Sequence, residues 1–190
     1  MRKVILYVNV TLDGFIAGPA GELDWMLPDP AMNIELSNEM RAEVDTILEG
    51  RQIHEAFEQN FRHEASDPGS PPELVDFAQW MLDTPKVVFS RTATALEDPK
   101  VRVAQDIPST VAELKAESGK AMVLFGGVKT VQQFVQQGLV DEYWIKLYPV
   151  ALGAGQPLFT DLSHRADLRL THCKAYDSGI VVQRYENAAS

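Results

Sequence analysis

Apolar residues fall along the chain in short runs, and the spacing within each run predicts its structure. Residues 3–10 are apolar on both faces, as in a strand buried between two layers. Thr46-Ile47-Leu48, Lys86-Val87-Val88-Phe89-Ser90, the wholly apolar Ala121-Met122-Val123-Leu124-Phe125, and residues 142–148 predict further strands, with a short one at 101–103. Between them the period lengthens. Leu74, Phe77, Ala78, Met81 and Leu82 fall on one helical stripe, opened by Pro71-Pro72 and closed by Pro85. Val128, Val131, Phe134 and Val135 make a second stripe, stopped by Gly138. Helices are also predicted over 32–44, from Gly50-Arg51 to about Gln59, and from a cap at Ser109 or Thr110 to Ser118. Residues 62–72, rich in proline and polar side chains, read as a surface loop. The C-terminal stretch predicts strands near 168–176 and 179–185, joined by a tight turn at Asp177-Ser178-Gly179.

Strand and helix therefore alternate before a β-rich tail. Apolar strands of this kind need helices on both faces, so the expectation is one α/β domain over residues 1–190: a mostly parallel sheet with a C-terminal antiparallel hairpin. The 190 residues suit a single domain with a core of its own.

Charge narrows the partners. Lys and Arg number 17 against 27 Asp and Glu, for a net charge of −10 and a pI near 4.8, with no basic run. Broad nucleic-acid binding and attachment to anionic membranes are disfavoured. A small anion remains possible, because two or three placed arginines can hold a phosphate whatever the total charge. The single cysteine, Cys173, excludes an internal disulfide and a cysteine-built metal centre, and suits a reducing cytoplasm. Its place in the predicted hairpin points it into the sheet core rather than to a nucleophile's role. The four histidines form no metal motif; His54 and Glu58, four apart, suit a solvated helix face.

In an open α/β sheet, ligands bind at the carboxyl ends of strands. Gly126-Gly127 joins an apolar strand to a helix whose first turn holds Val128, Lys129 and Thr130. It reads either as a pyrophosphate site at a helix N-terminus or as a tight turn without a ligand. Arg51 follows Gly50 at another strand end. Ser90-Arg91-Thr92 follows a third, with a guanidinium and two hydroxyls fit for a phosphate monoester. A nucleotide carrying both a pyrophosphate and a ribose 2′-phosphate would use all three places, which describes NADPH. Asn9 and the Asp13-Gly14 pair follow the first strand. Asp13 lies where a ligand would, though Asp-Gly is also a common turn. Trp25 walls a pocket or belongs to the core. G-x-G-x-x-G, Walker A and G-x-S-x-G motifs are absent from the sequence.

With these segments in order, the chain resembles the dihydrofolate-reductase-like superfamily. It is most similar to the C-terminal reductase domain of the bifunctional riboflavin-biosynthesis deaminase–reductase. The carriers are Thr11–Ala17, Ile47–Arg51 with Glu55, Lys86–Thr92, Leu124–Gly127, Gly138–Tyr143 and Pro149–Phe159. The resemblance implies a three-layer fold and NADPH as hydride donor to a small heterocycle or carbonyl compound. Gly50 and Arg51 would face the cofactor phosphates, Ser90, Arg91 and Thr92 would hold the 2′-phosphate, and Gly126-Gly127 would lie under the pyrophosphate. Whether that peptide is cis is left open. Asp13 would lie over nicotinamide and substrate and is the first candidate proton donor, Asp29 the second; Asn9 and Trp25 would touch substrate. A homodimer is also implied. The riboflavin reductases usually carry a lysine after Asp-Gly, where Phe15 stands here, and no deaminase motif is present. The rival readings are a binding protein that keeps the fold without catalysis, and a flavin or other nucleotide binder.

Overall fold

The computed structural model describes residues 1–92, 95–96 and 98–188. In chain order its elements are β1 (Val4–Thr11), β2 (Phe15–Ala17), α1 (Pro30–Glu43), β3 (Val44–Gly50), α2 (Arg51–Ser66), α3 (Pro72–Asp83), β4 (Lys86–Phe89) and β5 (Val101–Ala104). Then follow α4 (Ile107–Ala116), β6 (Ala121–Gly126), α5 (Val128–Gln136), β7 (Glu142–Tyr148), β8 (Gln156–Pro157), β9 (Leu168–Ala175) and β10 (Val181–Asn187).

Eight strands form one sheet in the order β5-β4-β3-β6-β1-β7-β10-β9, and β2 pairs with β8 beside it. From β5 to β7 every pairing is parallel; β10 and β9 add the antiparallel hairpin. The alternation along β1 shows why its sequence is apolar on both sides. Val4, Leu6, Val8 and Val10 pack with α4 and α5 through Val111, Leu114, Val131 and Phe134. Ile5 packs on the opposite face with Met40 of α1 and Met81 of α3. Two helical layers thus enclose the sheet.

Two boundaries and one burial differ from expectation. Helix α2 continues to Ser66, because its aromatic residues Phe57 and Phe61 pack on Phe125 and Phe77, and tertiary contact outweighs the polar composition of its last turn. Helix α4 is capped by Asp106, whose carboxylate accepts from Ser109 N at 2.9 Å, with Pro108 in the first turn; Ser109 and Thr110 lie inside the helix. Cys173 is exposed, not core, because β9 is an edge strand that the helices do not cover.

Parallel pairing brings the carboxyl ends of β3, β4 and β6 to one edge. Gly50 pairs with Phe89, and Glu49 with Gly126, so the three following turns lie level. Among the described residues no helix is long and apolar enough to cross a membrane.

Candidate active site

Two cavities meet at this edge. The first is a cleft of about 450 Å³ lined by Gly50, Arg51, Ser90, Arg91, Thr92, Gly127 and Thr130, with Ile53, Glu55 and Phe89. The second, of about 470 Å³, is apolar and aromatic, walled by Tyr7, Phe57, Phe61, Phe77 and Phe125, with Asn9, Ile16, Met26 and Lys146 also facing it. Gly126 lines the apolar cavity and Gly127 the polar cleft, and Ile53 borders both. The Gly126-Gly127 peptide is cis.

The polar cleft is built from helix starts. Helices α2 and α5 open at Gly50 and Gly127, and neither has a side-chain cap. Their first-turn N–H groups and positive dipole ends therefore face the cleft, an arrangement that favours an anion. Glycine is required at two points. Gly126 has φ +131°, a conformation that L side chains rarely adopt. A β-carbon on Gly50 would stand 2.5 Å from Thr130 Oγ1, so the two helix starts touch only because Gly50 has no side chain. Gly50→Ala is expected to cost about 1–3 kcal/mol by overpacking. Adding Thr130→Ala should recover most of it. Thermal melting checks this; a single variant that melts with wild type shows the contact to be slack.

Gly127 differs from Gly50, since a β-carbon there would meet open space on the cleft side. The cleft thus offers a bare backbone floor, two uncapped helix starts and two arginines. Arg51 Nε donates to Glu55 Oε1 at 2.7 Å, which aims the guanidinium along the cleft wall. Arg91 and Thr92 are exposed at the mouth, and Thr92 N donates to Ser90 Oγ at 3.3 Å. This donor set fits a nucleotide with a pyrophosphate and a further phosphate. Lys129 is exposed and lines neither cavity. Val128 lines the apolar one.

Asp13, Asp29 and Trp25 lie elsewhere. Asp13 accepts from Thr11 Oγ1 at 2.6 Å and from Gly153 N at 2.7 Å, and these bonds hold its carboxyl below its ordinary range. It is a loop tie, ionised near neutral pH. The loop it ties delivers Ile16 to the apolar cavity in its place. Asp29 is the N-cap of α1, accepting from Met32 N at 2.9 Å and Ser178 Oγ at 2.5 Å; Ser178 foremost lowers its pKa. Neither carboxylate lines either cavity. Trp25 packs edge-on against Tyr148 at 5.3 Å and donates to Glu22 O, outside the cavity lining. Asn9 does line it. His54 is 6 % exposed rather than on a solvated face, and its Nδ1 donates to the buried Glu49 carboxylate at 2.8 Å, tying α2 to β3.

The aromatic wall and Lys146 are not among the residues that the sequence singles out. The signal for the lysine was a lone charge inside the apolar run Tyr143-Trp144-Ile145-Lys146-Leu147-Tyr148.

A mostly parallel sheet between helical layers, an antiparallel C-terminal hairpin, and a two-chambered cleft split by a Gly-Gly turn define a dihydrofolate-reductase-like domain. The chain belongs to the RibD C-terminal domain family, which it matches over residues 2–182. It is 36% identical over 182 residues to the uncharacterized protein YyaP of Bacillus subtilis (strain 168), covering 95% of this chain and 92% of that one. Among the solved structures that share the fold are two of related description. One is a Shewanella sp. PV-4 protein ascribed to riboflavin biosynthesis, with TM-score 0.74, 24% identity, and 99% and 100% of the two chains covered. The other is the diaminohydroxyphosphoribosylaminopyrimidine deaminase/5-amino-6-(5-phosphoribosylamino)uracil reductase of Thermotoga maritima, with TM-score 0.68 and 16% identity. That match covers 98% of this chain and 57% of the Thermotoga chain.

Proposed function

We propose that this chain is an NADPH-dependent reductase of a small heterocyclic substrate. The observation that carries the reading is the junction of the two cavities at Gly126-Gly127. A ligand laid across that turn has its phosphates among Arg51, Ser90, Arg91, Thr92 and the N–H groups of α5, and its ring in the aromatic chamber. NADPH is divided in this way. When bound, its nicotinamide supplies a hydride; the chain's own residues grip the phosphates, orient the ring and keep water out. The uracil reductase activity named for the Thermotoga relative supports a heterocycle as acceptor. The lone, unpaired Cys173 fits work in the cytoplasm. Calorimetric titration tests the cofactor. NADPH should bind more tightly than NADH; equal affinities, or a preference for flavin, would overturn the reading.

The chain also pairs as a homodimer through its hairpin edge. Strand β9 is exposed along most of its length, with Leu170 50 % exposed on it. An open edge with apolar side chains is a surface a second copy can cover. Sedimentation should give a dimer mass for wild type and a monomer for Leu170→Asp; a monomeric wild type would rule the dimer out.

A further inference from the structure

Lys146 sits in the middle of β7, level with Asn9 on β1, and both face the apolar cavity. The residue is 7 % exposed, and its ammonium lies 4.4 Å from the centre of the Tyr7 ring. Among the described residues it makes no hydrogen bond or ion pair. A cation–π contact offsets only part of the cost of burying an ammonium. Burial pulls its pKa down to about 8. The ionisable groups around it do not neutralise it. Tyr7 lies beneath it and Tyr148 two residues along its strand. Glu64 stands at the cavity wall on α2. Arg184 of β10 is engaged by Glu39 of α1 and stacks on Trp144. Beside the lysine, Asn9 donates Nδ2 to Met26 Sδ at 2.9 Å, and its Oδ1 is buried without a partner.

An unpaired ammonium and an orphaned carbonyl side by side in an aromatic chamber do nothing for stability. Groups of this kind mark sites that a ligand completes. We propose that Lys146 is the catalytic acid of the apolar cavity, its ammonium donating to the heteroatom of the double bond being reduced, while Asn9 Oδ1 accepts from an N–H on the same edge of the substrate. The assignment rests on the reductase reading above. Bound NADPH would supply the hydride for the carbon of a C=N or C=O bond, and the π pair would move onto the nitrogen or oxygen. That atom bonds a proton as an N–H bond at Nζ breaks. Lys146 is left a neutral amine and regains a proton from solvent at the cavity mouth. The substrate is a flat ring with apolar faces and an acceptor near an N–H, and the ammonium rejects cations.

Lys146→Met, which keeps length and apolar bulk, tests this beside quinazolinone, a flat lactam, as the probe. In protein with isotope-labelled lysines, quinazolinone should move one lysine signal that is missing from the variant. Its affinity should fall about tenfold or more in the variant, with NADPH binding unchanged. Stability gives an independent readout. Between about 8 and the ordinary 10.5, the unfolded chain binds the lysine proton and the folded chain does not. Wild type should therefore gain stability as pH rises through that window, and the variant should not. Below pH 8 the variant should be at least as stable as wild type. An unmoved lysine signal beside normal NADPH binding overturns the assignment of Lys146 alone, as does a variant markedly less stable below pH 8. NADPH failing to bind either protein overturns the reductase reading and the proton step with it.

Discussion

Arg91→Glu is expected to weaken NADPH binding by roughly 100-fold and to leave NADH binding within a few-fold of wild type. Arg91 stands at the mouth of the polar cleft beside Ser90 and Thr92, past the end of β4, where its guanidinium can meet a ribose 2′-phosphate. A hydrogen bond to a charged group contributes about 1.5–3 kcal/mol, and each 1.4 kcal/mol is about tenfold in affinity. Reversing the charge removes that bond and adds repulsion. NADH has no phosphate at this position and loses little. Because Arg91 is exposed, salt should compress the difference, and the gap between the two cofactors should narrow as ionic strength rises. Paired calorimetric titrations at low and high salt check both parts. If NADPH and NADH weaken together, the 2′-phosphate does not sit at Arg91.

Phe134→Ala should destabilise the fold by about 3–5 kcal/mol, more than Gly50→Ala. Phe134 is 0 % exposed on the inner face of α5, and its ring meets Phe89 edge-on at 5.4 Å between centroids. Truncation opens a cavity between α5 and β4 and removes an aromatic pair. For a chain of this size that is a fall of roughly 6–20 °C in Tm. The damage should also reach the site. Phe89 lines the polar cleft and precedes Ser90-Arg91, while α5 carries Gly127 and Thr130 at its other end. NADPH affinity should drop along with stability, whereas Phe134→Leu, which fills more of the space, should keep most of both. Thermal melting and titration of the two variants decide it. A Phe134→Ala protein that melts near wild type would mean that α5 can close onto β4 without the ring.

The strands and the glycines and arginines that line the polar cleft were legible in the sequence because their signals are local. Apolar runs such as Ala121–Phe125 can be buried only as strands covered on both faces, and Gly126-Gly127 marks a tight strand-to-helix turn whatever surrounds it. Parallel pairing then put Gly50, Ser90 and Gly126 on one edge with no further information needed. Asp13 stands apart from both cavities for a geometric reason. Its place in the chain is beside the site, but its carboxylate is claimed by Thr11 and the distant Gly153. Asp29 was likewise taken by a helix start and by Ser178, far along the chain. The polar last turn of α2 misled for the converse reason, since Phe57 and Phe61 find aromatic partners on β6 and α3.

What the sequence by itself determined is the layered α/β plan and the set of glycines and arginines at the strand ends. Both depend on periodicity and on the order of elements, which are properties of short segments. Tertiary structure alone decided which side chains face the aromatic chamber. Lys146 is one charge in an apolar strand until β1 sets Asn9 beside it and α1, α2 and α3 close over it. Cys173 belongs to a plausible core strand until the sheet order leaves β9 at the edge. Burial and partnership are set by which element covers which, and that depends on the whole chain packing at once.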